Sequence, residues 1–171
     1  MYIALDNKLI TMTHSLYSEQ QVLKLTTSSD AVDHAQLESL FNQLKPISSE
    51  FLLGEWNGDI FNDAHPSGEA LRQINWAGKT FHSIEQVQPV ILHGEQPGER
   101  IWCEEYGLAR IRQIEFRGVV SAAMVYDDKP IIDYFRLVDE QTVMGTMDFR
   151  PEAVPEAGQS ADMFYFYLTR V

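Results

Sequence analysis

Apolar residues repeat with two different periods along the chain. Leu37, Leu40, Phe41 and Leu44 fall on one helical face, after Asp30 and Asp33, either of which can cap, and before Lys45-Pro46, which ends the run. This predicts an amphipathic helix packed on a sheet. A second, shorter helix is expected from Ser67 to about Asn75, with Ser67 as its N-cap and Trp76 and Gly78 beyond it. From Arg100 onward the text is that of strands: Ile101 to Tyr106, Leu108 to Phe116, Val119 to Tyr126, Ile131 to Val138, Thr142 to Phe149 and Met163 to Val171. Asp127 to Pro130 and Asp139 to Gln141 have the polar chemistry of tight reversals. Arg150 to Asp162 is long enough for a mobile loop, and further strands are expected around Phe51 to Ile60, Lys79 to Ser83 and Val87 to His93. Lys8 to Thr13 and Gln21 to Thr26 lean towards strand. About nine or ten consecutive short strands predict a mainly β protein, an antiparallel up-and-down meander closed into a barrel.

The short turns turn strands into faces. Across Asp127 to Pro130, Tyr126 pairs with Ile131, Met124 with Asp133 and Ala122 with Phe135. A three-residue turn at Asp139 to Gln141 sets Asp133 opposite Met147, Phe135 opposite Gly145 and Leu137 opposite Val143, whereas a two-residue turn would slip the pairing by one. The other face carries Ser121, Tyr134, Arg136, Thr142, Thr146 and Asp148 and is the more polar set, so the Met124, Phe135 and Met147 face should be the interior. One charge, Asp133, is left inside, with Tyr126 diagonal to it. It is either a satisfied buried carboxylate or a ligand-facing one.

The segment GEWNG, Gly54 to Gly58, sets one large ring between two glycines on the same face of a strand. Trp56 is expected to close one end of the barrel. Gly54 and Gly58 would stay small so that neighbouring strands or the Leu37 to Leu44 helix can approach its ring.

The 171 residues are 44% hydrophobic, which fits one domain around one core. A formal charge of −12, with no basic run, repels polyphosphates and anionic lipid, so neither nucleic acid nor a membrane is an expected partner. Cys103 is the only cysteine, which precludes an internal disulfide and suits a reducing, cytoplasmic setting. MYIALDNKLITMTHS, with Asp6 and no long apolar run, reads as neither a signal peptide nor a membrane span.

GEWNG, NWAGKTF at Asn75 to Phe81, and the long run from Phe116 to Asp148 together resemble the GXWXG domain family, in which the GXWXG segment precedes a companion domain of unknown function. The resemblance covers about Lys24 to the C-terminus. It implies an N-terminal extension over 1–23 and one barrel domain over 24–171, with the GXWXG segment at about 46–95 and the C-terminal meander at about 100–171. It supplies no reaction. A looser similarity is to calycins, the lipocalin-like barrels, whose first-strand Trp plugs the closed end beneath an Arg near the last strand. In MFYFYLTRV, Phe164, Phe166, Leu168 and Arg170 share one face, so the similarity assigns Arg170 to Trp56.

The chemistry that remains is a set of polar groups beside an apolar lining: Lys79, Arg117, Tyr126 and Asp133 among Phe81, Met124, Phe135, Met147, Phe164 and Phe166. Lys79 shares a face with Phe81, an arrangement suited to an anionic or carbonyl-bearing ligand, or equally to a lysine snorkelling at the rim. Arg117-Gly118 can equally be a turn. His14, His34, His65, His82 and His93 show no metal-ligand spacing, so no metal site is expected. No cofactor is expected; a haem-binding barrel using His82 or His93 is the weaker alternative, since a lone histidine in a strand is more often a surface or satisfied core residue. There is no G-x-S-x-G, phosphate loop or dinucleotide fingerprint. The leading expectation is a barrel that binds a small apolar or amphipathic organic molecule. The alternatives are a cofactor-independent isomerase, cyclase or decarboxylase using Tyr126 and Asp133 as an acid/base pair, and a protein-interaction module.

Overall fold

The computed structural model describes residues 15–152, 154–155, 160 and 162–171. Among these residues there are three α-helices, α1 (15–26), α2 (His34–Gln43) and α3 (Pro66–Gln73), and nine strands. The strands are β1 (Gly54–Ile60), β2 (Trp76–Ser83), β3 (Gln86–His93), β4 (Arg100–Trp102), β5 (Ala109–Phe116), β6 (Val119–Tyr126), β7 (Ile131–Leu137), β8 (Thr142–Phe149) and β9 (Phe164–Arg170). All pair antiparallel. Because β2 pairs with both β1 and β3, and β9 with β1, eight strands close into an up-and-down barrel, with β4 added alongside β3.

The registers follow from the short turns. Met124 stands opposite Asp133, Asp133 opposite Met147, Phe135 opposite Gly145 and Leu137 opposite Val143. The interior cluster contains Trp56, Phe81, Met124, Phe135, Phe164, Phe166 and Leu168. The opposite face is polar in composition, yet much of it is buried. Helices α1 and α2 cover it, packing Val22, Leu37, Leu40 and Phe41 on Ala123, Tyr134, Met144, Tyr165 and Tyr167 as a second core. Arg136 lies within this layer, its guanidinium 5.1 Å from the Phe41 ring centroid and donating to the backbone carbonyls of Phe135 and Phe116.

Several expectations are corrected. Gln21 to Thr26 is helical, as part of α1, where Val22 is buried in the outer core. Lys8 to Thr13 lies outside the described residues. The run expected as one strand from Ile101 to Tyr106 is divided between β4 and a 3₁₀ turn at Glu104–Tyr106. Cap and helix start also differ in α3: His65 is the N-cap, and its Nδ1 accepts the Ser67 backbone N–H at 3.1 Å. Part of the loop from Arg150 to Asp162 is outside the described residues, but Val154 is buried in the interior cluster. No helix among the described residues is long and apolar enough to cross a membrane.

Candidate functional site

One end of the barrel is solid. Trp56 is fully buried, its Nε1 donates to the Leu52 carbonyl at 2.7 Å, and the Arg170 guanidinium lies 4.2 Å from its ring centroid. Arg170 also donates to the carbonyls of Phe51 and Leu53, tying β9 to the 3₁₀ turn at Glu50–Leu52. The glycines serve different neighbours from those expected. A Cβ on Gly58 would come within 2.3 Å of the Trp76 indole, and one on Gly78 within 2.0 Å of the Trp56 carbonyl oxygen. Helix α2 does not approach the Trp56 ring, because it packs in the outer layer.

Further along the interior, packing gives way to a pocket lined by Trp76, Lys79, Val90, Tyr106, Tyr126, Ile131, Asp133, Met147, Phe164 and Phe166, with Ser67, Ala70 and Leu71 of α3 contributing one wall. Its cavity volume is about 40 Å³. Lys79 and Asp133 are 3% and 1% exposed, and Lys79 Nζ lies 2.8 Å from Asp133 Oδ2. Nζ also donates to the Pro89 carbonyl at 3.0 Å and to Tyr126 Oη at 3.4 Å. The ammonium stands 5.1 Å from the Phe166 ring centroid and 5.6 Å from that of Trp76.

Burial pushes the Asp133 carboxyl up, against the opposing pull of Lys79. Burial, followed by the Asp133 charge, holds the Tyr126 phenol well above its ordinary range. Although Tyr126 adjoins the carboxylate closely enough for the two to influence each other, neither Asp133 oxygen has a partner with full hydrogen-bond geometry, and Oδ2 meets Lys79 as an ion pair.

Of the sequence-derived candidates, the structure gathers Lys79, Tyr126, Asp133, Met147, Phe164 and Phe166 at the pocket. Phe81, Met124 and Phe135 are interior but belong to the packed region, where Phe81 meets Phe135 edge-on at 6.1 Å. Arg117 is a correction. It sits at φ 52° in the turn between β5 and β6, on the outside of the barrel, where it pairs with Glu38 of α2 at 2.6 Å and donates to Asn42 at 3.0 Å and Tyr165 at 3.2 Å. Lys79 does not snorkel at the rim: it is buried and its charge is paired with Asp133. His82 and His93 are exposed and outside the pocket lining. Among the described residues no three His, Cys, Asp or Glu side chains gather as a metal site.

Trp76 is the pocket residue that strand alternation hides. Register shifts between Trp76 and Gly78 and between Gly78 and Thr80 bulge β2, so Trp76 and Lys79, three positions apart, both reach the pocket. Asn75, at φ 59°, separates α3 from this strand. The α3 side chains carry no comparable signal, because their contribution depends on where the helix crosses the barrel mouth.

Comparison with known proteins places this architecture. The description "GXWXG protein" matches residues 39–96, and "Domain of unknown function (DUF4334)" matches residues 107–170. A crystal structure of a protein from Thermomonospora curvata is 38% identical, with 90% of this chain and 98% of that one covered and a TM-score of 0.80. The chain belongs to the GXWXG family. The two matched segments of the GXWXG barrel are not separate bodies: the first supplies β1 to β3, the second supplies β5 to β9, and they close one barrel through the β1–β9 and β3–β5 pairings. No curated protein matches the sequence.

Proposed function

We propose that this GXWXG barrel binds a small apolar or amphipathic organic molecule in its interior, between the Lys79–Asp133 pair and α3. The observation that carries the reading is the juxtaposition of a buried ion pair with an aromatic wall at the edge of unfilled interior space. Pockets that hold small organic molecules combine a mostly apolar lining with a few placed polar groups. The barrel belongs in a reducing, cytoplasmic compartment on this reading, since its single cysteine needs no oxidant.

The test is mass spectrometry of organic extracts from the natively purified protein, together with titration by single-ring aromatic compounds followed through Trp76 fluorescence and the ring signals of Phe164 and Phe166. A retained molecule, or saturable shifts at these rings that are lost in Phe166→Ala, is expected. No retained molecule and no saturable shift for any compound in the series overturns it.

A second reading has one observation in its favour. The Asp133 carboxyl, raised by burial beside Tyr126, would on this reading serve as a proton-transfer group for isomerisation, cyclisation or decarboxylation of a bound carbonyl compound. Asp133→Asn would then keep the fold and abolish turnover, and unchanged turnover in a folded variant removes the acid/base role.

A further inference from the structure

The polar groups of the pocket are unequally satisfied, and the inequality specifies a ligand. An ammonium has three N–H donors. Lys79 donates to the Pro89 carbonyl and to Tyr126 Oη at 3.0 and 3.4 Å, and its Nζ lies 2.8 Å from Asp133 Oδ2 as an ion pair. Its charge is matched as well. An anionic head group entering here would have to share the lysine with Asp133 and would meet the Asp133 carboxylate in a buried setting, where like charges repel strongly. Both Asp133 oxygens are buried without a hydrogen-bond partner, and Oδ2 is the one that Lys79 Nζ approaches at 2.8 Å. A buried carboxylate oxygen in that condition is costly, and a donor that reaches it recovers the cost.

Resting on the ligand-binding reading above, we infer that the pocket selects a neutral molecule with a compact apolar body and one hydroxyl group, an alcohol or phenol whose O–H donates to Asp133 Oδ1. The body packs on Trp76, Phe164, Phe166 and Met147. The small interior volume favours a single ring or short branched chain at the polar end. In aqueous solution water is the competing donor. A hydroxyl reproduces the hydrogen bond that water makes, whereas an ether or a carboxylate displaces the water without replacing it.

Three probes of one shape separate these cases at neutral pH: 4-ethylphenol, its methyl ether 4-ethylanisole, and 4-ethylbenzoate, each titrated by isothermal calorimetry and by NMR of the pocket rings. The phenol is expected to bind about tenfold or more tightly than either analogue, the difference associated with a charge-assisted hydrogen bond. In a double variant, Lys79→Met with Asp133→Leu, that preference should vanish while the ether still binds. The double change removes both charges and leaves neither alone, so folding is preserved, and thermal unfolding verifies this. If that variant does not fold, Asp133→Val with Lys79→Leu, which also removes both charges and the acceptor, provides the same comparison. Equal binding of all three probes by the native protein, or a phenol preference that survives removal of the pair, overturns the hydroxyl inference and leaves the pocket reading standing. Failure of every probe to bind overturns both.

Discussion

The Arg170 guanidinium lies 4.2 Å from the centroid of the Trp56 ring, which is itself completely buried. The same guanidinium donates to the carbonyls of Phe51 and Leu53, so one side chain covers the indole and holds the segment leading into β1. Trp56→Ala should destabilise the fold by roughly 3 to 5 kcal/mol, as aromatic truncations in cores do. Arg170→Ala should cost less, and the two changes should be strongly non-additive in a thermal-unfolding double-mutant cycle. Simple additivity would mean that the stacking contributes nothing. Arg170→Lys should recover only part of the loss, because an ammonium cannot both cover the ring and span two carbonyls.

The Lys79–Asp133 pair makes a prediction that separates pairing from stability. Lys79→Met alone leaves a buried carboxylate uncompensated and should cost about 3 to 5 kcal/mol. Replacing both residues with apolar side chains should cost far less, or even stabilise, since desolvation of the two ions is removed along with their attraction. Chemical denaturation of the two variants checks the order, and a double variant weaker than the single one contradicts it.

The raised Asp133 carboxyl also fixes the sign of a pH effect. Its folded-state value lies above the unfolded one, so the folded protein binds the extra proton and the associated stability is fully present below the unfolded value. That contribution falls as the pH rises through the folded-state value. The stability of the native protein relative to Asp133→Asn should therefore be greatest in acid and shrink towards neutrality. A difference that grows with pH would mean that pairing with Lys79 outweighs burial.

Gly58 and Gly78 should fail in different ways on substitution by alanine. At Gly58 the new methyl meets the Trp76 indole, which has the pocket beside it, so Gly58→Ala should cost about 1 to 3 kcal/mol and change ligand affinity. At Gly78 it meets the backbone of β1 at a φ of +136° and has no side chain to push aside. Gly78→Ala should be the more destabilising of the two in thermal melts, and the reverse order would misplace the close contact.

The wall formed by α3 depends on a histidine cap. His65 Nδ1 accepts the Ser67 N–H, and Nε2 lies 3.1 Å from the Asp162 carbonyl, so the neutral ring with its proton on Nε2 satisfies both contacts. His65→Ala should cost about 0.5 to 2 kcal/mol, in the range of lost helix caps. It should also speed amide exchange across α3, and unaltered exchange there would show that the cap is not what holds the helix.

Much of the pocket was legible before the fold was known because the β6, β7 and β8 hairpins have short turns. Such turns fix register, and register carried Asp133, Tyr126 and Met147 to one face. The barrel itself followed from the same regularity. The remaining features depended on departures from it. Trp76 is brought to the pocket by the bulging of β2, Arg117 is drawn outward by Glu38 and Asn42 on a helix distant in sequence, and the polar outer face is buried only because α1 and α2 lie across it. Each depends on partners that no local period encodes.

The pairing of β1 with β9 has a consequence for how the chain assembles. It joins Trp56 to Arg170, and the guanidinium bond to Leu53 spans 117 residues of chain. Closing so long a loop is entropically unfavourable until the intervening strands have ordered, so the ring should be sealed late on the folding pathway. During synthesis, β1 and β8 would wait as open edges until β9 follows, and exposed edges invite pairing with other chains. A nascent chain stalled before Phe164 is accordingly the form in which this protein is most prone to aggregate, and Trp56 burial is the signal that this period has ended.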